Sequence, residues 1–354
     1  MNAVTPQPKS MICPGTQPFV RNQWYAIAFS HEVEAGQKLH RKCMDEPILL
    51  FRTDDGRISA LFDRCPHRAV PLSMGRIVGQ SIECAYHGIQ FDGTGACTLI
   101  PTQTMMPPRA RVRSYPVAER MQFIWIWMGD PAEADESLLL DYADCYCEGD
   151  GWQHATYFMM EIRSNYSMLF ENLLDTSHIS YLHIGGIDDG KMASSPYTVE
   201  TKGQMVTLER FLDGDAAGPG TAKLFSMPVG TNYSRRLTTR SLLPNVHLVR
   251  NEITFLDEPG RPPNVRVNIM PITPASGDSL YQFVVVSTSY PVTVTQDLKD
   301  QLWGVFLQDA SVLEAIQTGY EAFGPDPNEI SLKADVAALN ARRIITKLAK
   351  QAVA

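Results

Sequence analysis

The chain opens with short alternations of apolar and polar positions. Residues 122–128 (QFIWIWM) alternate aromatic and aliphatic side chains, as a buried strand does. Residues 22–29 (NQWYAIAF) are aromatic and apolar. The run 47–51 (PILLF) stops at Asp54-Asp55-Gly56, a hairpin signal, and 58–62 resumes it. Residues 89–91 break at Asp92-Gly93-Thr94-Gly95. From Trp24 to Trp127 this pattern predicts a small all-β domain.

Residues 129–135 (GDPAEAD) form a polar break, read as a linker. It divides the chain into domains at 1–130 and 131–354. A helical segment is expected around 165–182, where Tyr166, Leu169, Phe170, Leu173 and Leu174 recur at helical spacing. A loop-rich stretch to about 230 follows, then long strands at roughly 236–256, 264–273 and 279–290. Helices are expected at 294–322 and 332–351. Strands flanked by helices predict an α+β domain with an antiparallel sheet. No internal repeat or low-complexity tract is evident.

At 354 residues the chain exceeds the usual single domain, which agrees with this division. Its 44% apolar content fills real cores, and its 24 Pro and 24 Gly suit a loop-rich globular protein. The net charge is −8 and no Lys/Arg run could track a phosphate backbone, so no nucleic-acid partner is expected. Residues 1–15 lack an apolar stretch and carry Pro6, Pro8 and Pro14, unlike a signal peptide or membrane helix. Later apolar runs are strand-sized, so no membrane association is expected and the location is read as cytoplasmic. The seven cysteines are an odd number in a large chain, which argues against a disulfide framework. Cys145 and Cys147 form a C-x-C without further ligands nearby and are read as ordinary free thiols.

Cys65-Pro66-His67 and Cys84-Ala85-Tyr86-His87 each offer one thiolate and one imidazole on a loop after a strand. A structural Cys2His2 zinc site is one reading, although zinc motifs usually group like ligands. A [2Fe–2S] cluster with two Cys on one iron and two His on the other needs each loop to give one of each. The spacing C-x-H-x16-C-x2-H is the motif of Rieske iron–sulfur proteins. On this reading Cys65 and Cys84 hold one iron, and His67 and His87 the other. Imidazole in place of anionic thiolate raises the reduction potential and suits the cluster to pass single electrons.

A second cluster follows. Asn172, Asp175 and His178 recur at steps of three, adjacent on one helix side, with His183 five residues on, where the helix must loosen or end. Core histidines satisfied by hydrogen bonds are the alternative to metal ligands. On the C-terminal helix, Leu302, Phe306, Asp309, Leu313, Ile316 and Tyr320 form a seam that is apolar except at Asp309. A buried carboxylate needs a partner or a metal, or else it caps a neighbouring element. His178, His183 and Asp309 would make the two-His, one-carboxylate triad of non-heme Fe(II) oxygenases.

With both motifs in view, the chain resembles the oxygenase component of Rieske non-heme iron oxygenases, over essentially its whole length. The D-x2-H-x4-H of 175–183, the N-Q-W-Y at 22–25 and the R-R-I-I at 342–345 most resemble the vanillate and dicamba O-demethylase branch. The resemblance implies a Rieske N-terminal domain, a helix-grip catalytic domain and a homotrimer whose head-to-tail packing brings one subunit's cluster near the next subunit's iron. It makes Asp175 the bridge, accepting from His87 of one chain and His178 of the next, and sets Asn172 close to iron. It also places Met270 and residues 268–272 near the substrate. The dicamba enzyme has a His at about the Met270 position that helps hold a carboxylate, so a neutral or differently anchored substrate is the expectation here.

The activity implied is O2-dependent oxidation of an aromatic substrate with electrons from a flavin- and ferredoxin-type, NAD(P)H-dependent reductase. Attack on a methoxy or N-methyl carbon gives a hemiacetal or hemiaminal that releases formaldehyde. Ring attack would instead give a phenol, or a cis-diol by dioxygenation. A Rieske electron-transfer protein with a binding domain is the competing class, against which the second His pair and Asp309 argue.

Overall fold

The computed structural model describes residues 18–188, 190–324 and 329–351. Residues 1–15, including Cys13, lie outside the described residues. The first half holds β1 (Trp24–Phe29), β2 (Lys38–Cys43), β3 (Glu46–Arg52), β4 (Ile58–Phe62), β5 (Arg76–Val78), β6 (Ser81–Glu83), β7 (Gln90–Asp92), β8 (Cys97–Leu99), β9 (Ser114–Tyr115), β10 (Val117–Arg120) and β11 (Phe123–Trp127). They form antiparallel sheets in the orders β1-β11-β10, β2-β3-β4-β9 and β5-β6-β7-β8. The turn at Asp54-Asp55-Gly56 joins β3 to β4, and Gly56 takes the left-handed backbone (φ 85°) that such turns need.

The second half carries β12 (Gln153–Ile162), β13 (Tyr197–Lys202), β14 (Met205–Ala216), β15 (Asn232–Leu242), β16 (Val246–Phe255), β17 (Asn264–Ser276) and β18 (Ser279–Thr288). These make one antiparallel sheet in the order β12-β18-β17-β16-β15-β14-β13. Its helices are α1 (Tyr166–Leu174), α2 (Ile179–Leu182), α3 (Pro219–Leu224), α4 (Gln296–Phe323) and α5 (Val336–Gln351). The expected α+β class, with an all-β first half, is what the chain adopts. Among the described residues no helix is long and apolar enough to cross a membrane.

Three expectations need correction. The expected helix over 165–182 breaks at Asp175. There the carboxylate Oδ1 accepts from both the backbone N–H and the hydroxyl of Ser177, at 2.8 and 2.6 Å. Such local bonding competes with the helix ladder, and Asp175 turns extended (ψ 95°). Asp175 and His178 therefore do not continue the Asn172 side of α1. The expected strand 236–256 is a hairpin, β15 to β16, turned at the cis Leu243-Pro244 bond. The stretch expected to be loop-rich contains β13 and β14.

β17 and β18 of the large sheet are buried on both faces. Toward the helices, Met270, Ile272 and Val284 pack with Leu169, Phe170, Leu302, Phe306 and Leu313. Toward the first half, Val265, Val267, Ile269 and Phe283 pack with Trp24, Phe29, Phe123, Trp125 and Trp127. The Phe283 ring meets Phe29 edge-on at 5.3 Å and Phe123 at 6.1 Å. Backbone bonds cross this interface too: the Met44 and Asp45 N–H groups donate to the carbonyls of Pro274 and Ala275, both at 2.9 Å. Cys145 and Cys147 are buried in the same interface as free thiols. Burial raises the pKa of Cys147 to about 11, so it is not a ready nucleophile.

Candidate metal centres and active site

The two Cys/His loops have one backbone plan. In the first, the Ala69 N–H donates to the Cys65 carbonyl at 3.0 Å and the Cys65 N–H to Val70 at 2.8 Å. In the second, the Gly88 N–H donates to Cys84 at 3.0 Å and the Cys84 N–H to Ile89 at 2.8 Å. Ala69 (φ 59°) and Gly88 (φ 68°) occupy the same left-handed position in each loop. Cys65 and Cys84 are 2% exposed and pack among Phe51, Leu61, Leu72 and Phe91. His67 and His87 stand at the surface with Nδ1 atoms 3.2 Å apart. Burial, with some bonding to Cys84, pushes the Cys65 thiol up. The Tyr86 ring lies 3.8 Å from the His87 ring, tilted 35° to it.

The second centre joins three elements. His178 precedes α2, His183 follows it, and Asp309 projects from the middle of α4. One ligand atom from each lies within 4.8 Å of the others. His183 Nε2 is 3.2 Å and His178 Nε2 3.5 Å from Asp309 Oδ1. His183 Nδ1 lies 2.8 Å from Gln308 Oε1, which can only accept, so Nδ1 carries a proton and Nε2 is the nitrogen turned toward Asp309. Asn172 Nδ2 donates to Asp309 Oδ1 at 3.1 Å, while its own Oδ1 is buried without a partner among the described residues.

The two imidazoles differ electrically. Burial depresses the His178 pKa, against the pull of the Asp309 carboxylate. At His183 burial acts the same way, but the hydrogen bond and charge of Asp309, with Gln308, outweigh it and raise the pKa. Of the seam residues expected to be apolar and buried, Leu302, Phe306 and Leu313 are, whereas Ile316 is 41% exposed.

The triad lies in the wall of a cavity of about 80 Å³ between α4 and the sheet, shared with Leu173, Ile179, Val305, Phe306 and Met270. That is about half the ~150 Å³ that holds one benzene ring, so a substrate must displace a lining side chain. Met270 and Asn268, from the 268–272 stretch that the sequence places near the substrate, are here; Arg235, Asn251 and Arg266 in the same wall are not foreseen from sequence. Neither is Gln308. Arg266 could have been found from β17, where it and Asn268 alternate with Val265, Val267 and Ile269. Asn172 and His178 also border a second hollow, of about 300 Å³, which contains Asp175 and Arg342 and lies against α5.

Two clusters of Cys/His and His/Asp ligands, one on an all-β half and one in a helix-covered antiparallel sheet, define a Rieske-type protein with a second metal centre. Residues 23–116 match the Rieske [2Fe-2S] domain, and residues 162–351 match the vanillate O-demethylase oxygenase C-terminal domain. The chain belongs to the vanillate O-demethylase oxygenase family. It is 36% identical over 211 residues to the iron–sulfur subunit TsaM1 of the toluene-4-sulfonate monooxygenase system of Comamonas testosteroni, covering 58% of this chain and 60% of that one. It is 41% identical over 166 residues to the oxygenase component of dicamba O-demethylase from Stenotrophomonas maltophilia, covering 47% and 48%. The matches thus span 60% and about half of these relatives' own lengths. The crystal structure of dicamba monooxygenase bound to 3,6-dichlorosalicylic acid superposes with a TM-score of 0.84 at 28% identity, over 95% of this chain and 99% of that one.

Proposed function

We propose that the protein is the terminal oxygenase of a multicomponent system that oxidises a small aromatic substrate with O2, by O- or N-demethylation. Its electrons come from a separate NAD(P)H-dependent reductase. The observation that carries this reading is the convergence of His178, His183 and Asp309 on one point beside an apolar cavity. Residues 1–130 form the Rieske half and 131–354 the catalytic half. The six described cysteines are all free, in keeping with a reducing, cytoplasmic setting.

The donors fit the two groups. Cis donors each about 2.1 Å from one ion stand about 3 Å apart, close to the 3.2 and 3.5 Å spacings of the triad and the 3.2 Å between His67 and His87 Nδ1. Cys65 and Cys84 hold one cluster iron, His67 and His87 the other, and His178, His183 and Asp309 hold a single ferrous ion. When bound, the cluster supplies electrons singly and the mononuclear iron activates O2. Gln308 keeps the His183 proton on Nδ1. Asn172 orients Asp309. Leu173, Ile179, Val305 and Phe306 keep water from the reacting carbon.

The assembly is a homotrimer. His67 and His87 face outward, and His178 separates the inner cavity from the hollow that holds Asp175. A neighbouring subunit's His87 docks in that hollow and bonds Asp175 through the oxygen that Ser177 does not use. A panel of aryl ethers and N-methyl arenes, run with a surrogate reductase, tests the reading. Formaldehyde release is expected, with about three irons per chain. Hydroxylated or diol products without formaldehyde would replace demethylation by ring oxidation, and about two irons per chain would leave an electron carrier.

A further inference from the structure

β17 is buried along its whole length. Its alternation sends Val265, Val267 and Ile269 into the interface with the first half, and Arg266, Asn268 and Met270 into the cavity beside the triad. Arginine is almost never fully buried unless paired, yet Arg266 is 1% exposed. Its Nε donates to Asn268 Oδ1 at 3.3 Å. Its terminal nitrogens, Nη1 and Nη2, have no hydrogen-bond partner among the described residues. The Tyr157 ring lies 5.5 Å from the guanidinium carbon. The Tyr290 hydroxyl is near enough to feel the guanidinium charge, but no bond of good geometry joins them, and it donates to the Leu224 carbonyl at 3.2 Å.

Nothing else in the wall neutralises this charge. Arg235, the other guanidinium, is committed to Asn251 Oδ1 and the Ile187 carbonyl, both at 2.8 Å. Among the described residues lining the cavity Asp309 is the one carboxylate, and it already faces two imidazoles and Asn172. A buried charge without a partner is costly, and two free, parallel N–H groups match the two oxygens of a planar or tetrahedral oxyanion.

We propose that Arg266 anchors an oxyanion substituent, a carboxylate or sulfonate, on the aromatic substrate. This rests on the oxygenase reading of the cavity and supplies the substrate class that reading leaves open. Met270 does not anchor the anion; the residue four positions earlier on the same strand face does. A neutral arene leaves Nη1 and Nη2 unpaired and is rejected for that reason.

The test is calorimetric titration of the iron-replete, full-length protein with 4-methoxybenzoate, 4-methoxybenzenesulfonate and neutral 4-methoxytoluene. At least one anion binds, the neutral ether does not, and the stronger anion identifies the natural substituent. Arg266→Met weakens the anion by about 30-fold or more, and Arg266→Lys, which keeps the charge without the fork, falls between. Arg266→Met melts no lower than wild type, because it removes an unpaired buried charge; a guanidinium serving only to pack on Tyr157 would lower the melting temperature when lost. Equal binding of the neutral ether, failure of both anions to bind at millimolar concentration, or undiminished anion affinity in Arg266→Met would each overturn the proposal. Arg266-dependent anion binding without any oxidised product would keep the anchor and sink the oxygenase reading. Formaldehyde from the neutral ether, indifferent to Arg266, would do the reverse.

Discussion

Asp309 is buried in the middle of a helix with two imidazoles and an amide for company. Asp309→Ala should lower iron from about three to about two per chain while leaving the visible absorption of the Rieske cluster intact, read by iron assay and spectrum. Gln308→Leu should keep all three ligands but weaken the mononuclear metal by about 10–100-fold, measured by competition with a chelator. His247, fully buried with Nδ1 on Ser241 Oγ at 2.7 Å and Nε2 without a partner among the described residues, answers to acid. Burial lowers its pKa from 6.5 to about 3. The unfolded chain takes up a proton below pH 6.5 that the native state refuses. Stability is therefore full above that pH and is lost as pH falls toward 3, by about 1.4 kcal/mol per unit. His247→Gln should remove about 2 kcal/mol of the loss between pH 6.5 and 5, seen as a smaller fall in the urea midpoint. Single residues were legible where they broke a pattern: Asp309 interrupts an apolar seam. Gln308 breaks none, because its role depends on a histidine 125 positions away.

The paired ligand loops are the element on which the cluster depends. Ala69 adopts the conformation that Gly88 adopts without a side chain, while a methyl on Gly88 would come within 3.1 Å of Pro101 Cγ. Ala69→Gly should therefore stabilise the first loop by about 1 kcal/mol, and Gly88→Ala should weaken the second by at least as much. The temperature at which the cluster absorption bleaches would report both. Elements were legible where turns carry their own chemistry, as at Asp54-Asp55-Gly56. They were hidden where the chain turns without glycine. Leu243-Pro244-Asn245 looks like one continuous strand until the hairpin closes. β14 alternates Val206, Leu208 and Leu212, all buried, but Arg210 sits in the same row. That guanidinium is satisfied by Thr176 Oγ1 and the Ser195 carbonyl, partners that only the tertiary structure supplies. The break in the expected 165–182 helix has the same origin, since Ser177 is an ordinary helix residue until Asp175 captures it.

At the scale of the whole molecule, Asp175 separates local from intersubunit roles. The Asp175 carboxylate accepts from Ser177 and bonds none of the triad side chains, so Asp175→Asn should keep both metals and still bind substrate. Turnover should nevertheless fall by orders of magnitude. In the proposed trimer the amide adds an N–H donor toward the neighbour's imidazole N–H, and the proposed charge-assisted bond between subunits is lost. Rapid mixing of chemically reduced enzyme with substrate and O2 decides it: wild-type cluster reoxidation in an iron-replete variant would remove the bridge, and loss of iron would make the role local.

The aromatic contact between the two halves sets a rule for recombination. Trp24, Phe29, Trp125 and Trp127 belong to the first half by sequence, but their rings are buried against Val267, Ile269 and Phe283 of the second. A chimera that joins this N-terminal half to another family member's catalytic half inherits a mould cut for different side chains. It should aggregate on expression unless the β17 and β18 residues facing those rings travel with it. Carried over together, they should restore a coloured, monodisperse protein on size-exclusion chromatography.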